Sequence, residues 1–245
     1  MKLLLEIQYC GRCFHGWQVQ PGCRTVQQTL QAAVETLSGV PCGITGCSRT
    51  DSGVHAEQFF CTVQTAQPIQ IPMDKLPLAL NAILPADLTA VSARPVEDSF
   101  HPRYCATGKR YEYRILNRPL PDPFLSGLVF HYPRPIQMDR MALAASHFIG
   151  KHDFSSFCAA ASDVEDKVRT LTECSVRREG DLVILAVEGD GFLYNMVRII
   201  AGTLIGVSEG RYLPEDIPKI LDAKDRSAAG ATAPACGLYL NKVYY

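Results

Sequence analysis

One order of hydrophobic patterns occurs twice in this chain, and it constrains the fold more than any single motif. Near the start, KLLLEIQY reads as a strand, and TVQQTLQAAVETLSG then reads as a helix. Val26, Leu30, Val34 and Leu37 form its apolar face, Thr25 stands at the N-cap with Gln28 completing a capping box, and Gly39 stops it. GITGCS and QFFCTVQT read as strands, MDKLPLALNAIL as a second helix, and LTAVSARPV as a strand before the loop EDSFHP. The second half repeats the order. KRYEYRILN is a strand, MDRMALAASHFIG a helix, and VRTLTECSVRR and DLVILAVEG are strands joined across Gly180. FLYNMVRIIAGTLIGV reads as a long helix, PEDIPKILDAK as a short one, and GLYLNKVYY closes as a strand. Each half is strand–helix–strand–strand–helix–strand, the split βαβ arrangement. The expected architecture is α+β, with an N-terminal half over residues 1–102 and a C-terminal half over 103–245. Such halves have mostly antiparallel sheets with helices on one face, which leaves the other face for a ligand or a partner half.

Composition excludes several classes. With 47% hydrophobic and 20% charged residues the chain is globular rather than disordered. No apolar run approaches the roughly 18 residues of a membrane span. MKLLLEIQY reaches Glu6 too soon to hold the apolar centre of a secretory signal, so a cytoplasmic location is expected. In that reducing compartment the ten cysteines are expected to be free thiols. Cys10 and Cys13 have C-x-x-C spacing and Cys23 follows, but no second such pair or clustered histidines complete a zinc set. Phosphate-binding and dinucleotide-binding glycine motifs are absent too, so nucleoside triphosphates and dinucleotides lack a site.

The net charge is -1, so the chain is not basic as a whole. The positive charge is concentrated, however. RYCATGKRYEYRILNR carries Arg103, Lys109, Arg110, Arg114 and Arg118 against the single acid Glu112. A basic stripe on a neutral protein fits a polyanion, and it equally fits a solvated strand face. Within it, Tyr111 and Tyr113 alternate with Arg110, Glu112 and Arg114, so one strand face is aromatic and the other charged. Such a face can stack bases beside phosphates, or it can be a half-buried strand packed through its tyrosines.

GCSRTDSGVHA, residues 46–56, puts Arg49, Asp51 and His55 within one turn-forming stretch. Two readings fit. Asp51 is a nucleophile or base kept ionised by an arginine such as Arg49, or it caps a turn made of ordinary turn residues. Arg198 poses a similar choice inside the apolar run MVRIIAG. A buried guanidinium needs an anion, whereas a helix edge open to water needs none. Trp17 suits base stacking or a packing anchor, and His15 and His55 titrate near neutrality with no serine or cysteine nucleophile identifiably paired with either.

GCSRTDSGVHA resembles the signature of the tRNA pseudouridine synthase A family. FHGWQVQPGCRTVQQTLQAAV, NAILPADL, SFHPRYCATGKRYEYRI, FIGKHDFSSF, GFLYNMVRIIAGTLIGVSEGR and AAGATAPACGLYLNKV are similar to further blocks of that family, in the family's order. The resemblance implies two ferredoxin-like, RRM-like βαββαβ halves with a central active-site cleft, the pseudouridine synthase fold. It implies isomerisation of uridine to pseudouridine at positions 38, 39 and 40 of the tRNA anticodon stem-loop, without cofactor or metal, by a homodimer. Residue by residue, it makes Asp51 the nucleophile and Tyr111 the ring against the uracil and a group for proton removal. Arg198 becomes the partner of Asp51, and Arg49 the residue that positions the loop or displaces the nucleotide. The expected substrate-binding set is Tyr111, Arg110, Lys109, Arg103 and His55. Cys10 stands where the family has an acid before the glycine. The competing expectation is a non-catalytic RNA-binding protein of the same fold, which has no need of Asp51 and Arg198 together.

Overall fold

Strand β1 (Lys2–Tyr9) is buried at Leu3, Leu4, Leu5 and Ile7 alike, as an inner strand covered on both faces must be. It lies between β3 (His55–Thr65) and β4 (Leu88–Pro95), and β2 (Cys42–Gly46) pairs with the other side of β3. All three pairings are antiparallel. Leu3 and Leu5 line one small apolar cavity with Val34 of helix α1 (Val26–Ser38) and Leu80 of helix α2 (Leu76–Asn81). The Thr25 hydroxyl accepts from the Gln28 N–H at 3.4 Å, as the capping pattern predicts. Helix α2 is shorter than its apolar pattern, because Pro77 sits in its first turn and Pro85 disfavours helical backbone at Leu84.

The computed structural model describes residues 1–160, 162 and 164–245, and these divide into two compact units. One comprises residues 1–107 with 240–245, the other 108–239. In the second unit, β5 (Gly108–Leu116) pairs with β9 (Leu182–Gly189), β9 with β8 (Val168–Glu179), and β8 with β7 (Gly150–Asp153), all antiparallel. The two-residue β6 (Phe130–His131) runs parallel to β5. Helices α3 (Met138–Ser146), α4 (Met196–Ser208) and α5 (Ile217–Ala223) complete this unit. The last strand, β10 (Leu238–Tyr244), is divided between the two units after Tyr239. The fold is therefore mixed α+β with mostly antiparallel strand pairing.

Three further elements differ from their sequence patterns. Strand β6 is only two residues long, and β7 is short and polar, so neither gives an alternating signal. Helix α4 starts at Met196 rather than Phe192, because Asn195 adopts a left-handed backbone (φ 61°) and the Met196 N–H bonds Leu193 O. Asparagine is among the few residues that tolerate this conformation.

Candidate active site

Asp51 lies between β2 and β3, and several backbone groups around it are hydrogen-bonded. The Val54 N–H donates to Asp51 O at 3.2 Å, which closes a four-residue turn with Gly53 third at φ +80°. That position of a type II turn needs a residue free of a Cβ. A second segment, residues 11–24, clasps the turn. Phe14 O accepts from the Gly53 N–H at 3.2 Å and the Ser52 hydroxyl at 3.4 Å, and the Trp17 N–H donates to Thr50 O at 3.1 Å. The Tyr9 and Thr50 hydroxyls are 2.8 Å apart. The clasp is anchored in turn on α1, whose Val26 and Gln27 N–H groups donate to Gly16 O and Trp17 O. A carboxylate on so constrained a turn loses little further freedom when it reacts.

Trp17 is the rivet of this arrangement. Only 3% exposed, it stacks on Phe59 at 4.3 Å, and a Cβ on Gly46 would lie 2.6 Å from its indole. Its burial makes it a packing anchor. His55 is 1% exposed, and its Nδ1 accepts the Gly11 N–H at 3.0 Å, which assigns the ring proton to Nε2. Arg49 is exposed, and among the described residues its guanidinium makes no hydrogen bond or ion pair. The nearest arginine in sequence is therefore not the group that holds Asp51.

In the second unit, Tyr111 and Tyr113 point to one face of β5. Tyr111 is 7% exposed and meets Phe192 edge-on at 4.9 Å. Tyr113 is fully buried with its hydroxyl donating to Pro234 O at 2.7 Å, and burial pushes its phenol far above the ordinary range. The charged face of β5 is not a bare cationic stripe. Arg110 makes a forked ion pair with Glu173 and lies 3.5 Å from Glu188, while Glu112 takes Arg114 at 2.9 Å and Arg177 at 3.0 Å. Arg118 bonds Asp122 and Asp181. The partners of Arg110 come from β8 and β9, about 60 and more residues away, so the sequence stripe overstates the net positive field of this face. Burial works against the charge on Glu112, but its two arginine hydrogen bonds outweigh it and hold the carboxyl below its usual range. Lys109 is half-buried on the same strand, and Arg103 is exposed beside the Tyr104 ring.

Arg198 occupies the first turn of α4, where the helix dipole favours anions and a cation gains nothing. Its guanidinium is aimed by two acceptors: Nε donates to Ala233 O at 2.8 Å, and one terminal nitrogen donates to Asn195 Oδ1 at 2.7 Å. The Ala233 N–H returns a bond to Arg198 O at 3.1 Å. The segment AAGATAPACG supplies this contact because its small residues let it lie directly on α4; a Cβ on Gly202 would come within 1.8 Å of Ala231 O. Asn195, Ala233 and Phe192 thus support Arg198 and Tyr111, and no single-residue signal marks them. The small-residue run around Ala233 is the one pattern that points to them. Among the described residues, no three His, Cys, Asp or Glu side chains gather to hold a metal ion.

The comparisons with known proteins bear on the same residues. Residues 144–245, which include Arg198 and its acceptors, match the family model described as tRNA pseudouridine synthase. The tRNA pseudouridine synthase A of Thermoanaerobacter sp. (strain X514) is 43% identical over 244 residues, covering 100% of this chain and 99% of its own length. That of Bacillus subtilis (strain 168) is 44% identical over 249 residues, with the same coverage of 100% and 99%. The chain belongs to the tRNA pseudouridine synthase A family, a family of isomerases. A solved chain from a Cbf5-Nop10-Gar1 complex aligns over 97% of this chain and 57% of its own, with 14% identity and a TM-score of 0.35, too slight a likeness to argue from.

Proposed function

We propose that this enzyme isomerises uridine to pseudouridine in the anticodon stem-loop of tRNA, at positions 38, 39 and 40, with Asp51 as nucleophile. The observation that carries the reading is the clasped turn around Asp51, a half-buried carboxylate on a rigid support. In the proposed reaction the target nucleotide leaves its stack, at a cost of a few kcal/mol. Asp51 attacks the ribose or the base, the glycosidic bond breaks, and the freed uracil turns; its C5 then joins C1′, Asp51 is released from its bond, the C5 proton is lost and N1 takes up a proton. No bond is oxidised or reduced, so the reaction needs no redox partner. Arg198 is the charge partner that keeps Asp51 ionised, and its two fixed acceptors set the guanidinium's direction. Tyr111 packs against the uracil, with Phe192 fixing its ring, and is the group for proton removal.

The exposed Arg49 serves the RNA, by displacing the nucleotide or contacting a phosphate. Arg103 and Lys109 contribute phosphate contacts, while Arg110 and His55 act by position. Arg110 holds β5 to its neighbours through Glu173, and His55 holds the clasp through Gly11. The working form is a cytoplasmic homodimer. The test is tritium release from tRNA labelled at uridine C5. Asp51→Asn keeps the turn, because the backbone bonds do not involve its carboxylate, and is expected to lower the rate by about a thousandfold or more while tRNA binding persists. Undiminished release by that variant would overturn the assignment and leave a protein that binds RNA without reacting with it.

A further inference from the structure

The segment that clasps the Asp51 turn carries a dithiol. Cys10 caps and Cys13 ends a single 3-10 turn, Gly11–Cys13, with the Phe14 N–H donating to Gly11 O at 2.9 Å. Cys10 itself is extended (φ -85°, ψ 110°), but the two residues between the cysteines lie in the turn, which rises about 6 Å over three residues. That separation lies inside the roughly 4.4–6.8 Å between Cα atoms that a disulfide bridges. Cys13 is exposed and Cys10 half-buried, whereas Cys42, Cys47, Cys61, Cys158 and Cys174 are buried. Burial pushes Cys42 up to about 11, which keeps it a protonated, inert thiol. Cys13 differs in having Arg24 beside it. Arg24 is held above its ordinary value first by its hydrogen bond to Asp87, with burial opposing and the charges of Asp87 and Cys13 adding. An exposed thiol is the one a small disulfide in solution reaches first, which makes Cys13 the attacking group.

We infer that Cys10 and Cys13 are a thiol–disulfide switch on the clasp of the proposed catalytic turn, oxidised by a low-molecular-weight disulfide of the glutathione class. The Cys13 thiolate attacks one sulfur of the oxidant, forms a mixed disulfide and releases one thiolate. The Cys10 thiolate then attacks the Cys13 sulfur and releases the second. Two protein thiols and one small disulfide become one protein disulfide and two small thiols. The consequence follows from what this turn holds. The Cys10 N–H donates to Asp87 O at 3.0 Å, the Gly11 N–H to His55, and Phe14 O receives both Gly53 and Ser52, the neighbours of Asp51. A bond across Cys10 and Cys13 tightens the turn and shifts the Phe14 carbonyl that these neighbours rest on. The effect on rate rests on the function proposed above; the chemistry of the dithiol does not.

The test treats the full-length protein with oxidised glutathione, alkylates the remaining thiols and maps the peptides. The expected product is a Cys10–Cys13 link, and the fluorescence of Trp17, the chain's only tryptophan, changes with it and returns on adding dithiothreitol. Tritium release falls about tenfold in step, because misplacing a reacting group by ~1 Å costs up to ~100-fold. Cys13→Ser abolishes link, fluorescence change and inhibition while keeping the reduced protein's rate, and Cys23→Ser abolishes none of them. The inference is overturned if both thiols stay reduced, if glutathione remains attached to Cys13, if Cys13 links to Cys23, or if the link forms with fluorescence and rate unmoved. A reduced protein with no activity would count against the proposed function instead, and mapping with fluorescence would still decide the switch.

Discussion

At the scale of single residues, most of what the sequence singles out has a place in one of two short constructions. Asp51 rests on a turn whose neighbours bond Phe14, and Arg198 is aimed by Asn195 and Ala233. The residue types were legible; their supports were not. Arg49 reads as the companion of Asp51 because it is two positions away, yet it is exposed and has no partner among the described residues. Sequence proximity in a turn says little about which way a long side chain points. His55 illustrates the same limit, since its ring is 1% exposed and its Nδ1 accepts the Gly11 N–H inside the fold. Trp17→Ala tests the clasp directly. Removing a buried indole is expected to cost about 3–5 kcal/mol of stability, read as a lower midpoint in denaturant. Because the indole also packs against Gly46 and Phe59 beside the turn, the turnover of whatever remains folded should fall as well. A variant with wild-type turnover per folded molecule would remove Trp17 from the support of the site.

At the scale of elements, the repeated strand and helix order was readable because each long element has a clear period and its own stop signals. The short strands β6 and β7 and the late start of α4 were not, since they depend on pairing and on one left-handed asparagine. The charged face of β5 was misleading for a related reason. Its acidic partners Glu173 and Glu188 lie on β8 and β9, and only strand pairing brings them to Arg110. The Glu112 cluster gives this face a pH signature. The folded carboxyl titrates below its usual value of about 4.3, so its contribution is fully present above that value and is lost as pH falls through the lower folded one. Thermal melts should therefore show the midpoint falling on acidification below about pH 4.3. Glu112→Ala should lower the midpoint at neutral pH, by about 2 kcal/mol of stability, and weaken the acid dependence. An unchanged acid profile would mean that Arg114 and Arg177 contribute nothing through Glu112.

At the scale of the molecule, a chain of net charge -1 has to bind a polyanion with few available cations. The ion pairs on β5 narrow the choice, and the exposed Arg49 and Arg103 become the expected phosphate contacts. Arg49→Ala and Arg103→Ala should each weaken tRNA binding and reduce the slope of log affinity against log salt by about one. Arg110→Ala should leave that slope unchanged and destabilise the fold, because it strips Glu173 of its partner. The reverse pattern in titrations at several salt concentrations would return Arg110 to the RNA.

The central claim is that a fixed Asp51 isomerises anticodon-stem uridines, and mapping pseudouridine in unmodified tRNA after treatment with the pure protein tests it most directly. The expected map shows pseudouridine at positions 38, 39 and 40 wherever uridine occurs there, and none after treatment with Asp51→Asn. Pseudouridine confined to other positions, or a map that the Asp51→Asn protein reproduces, would contradict the account.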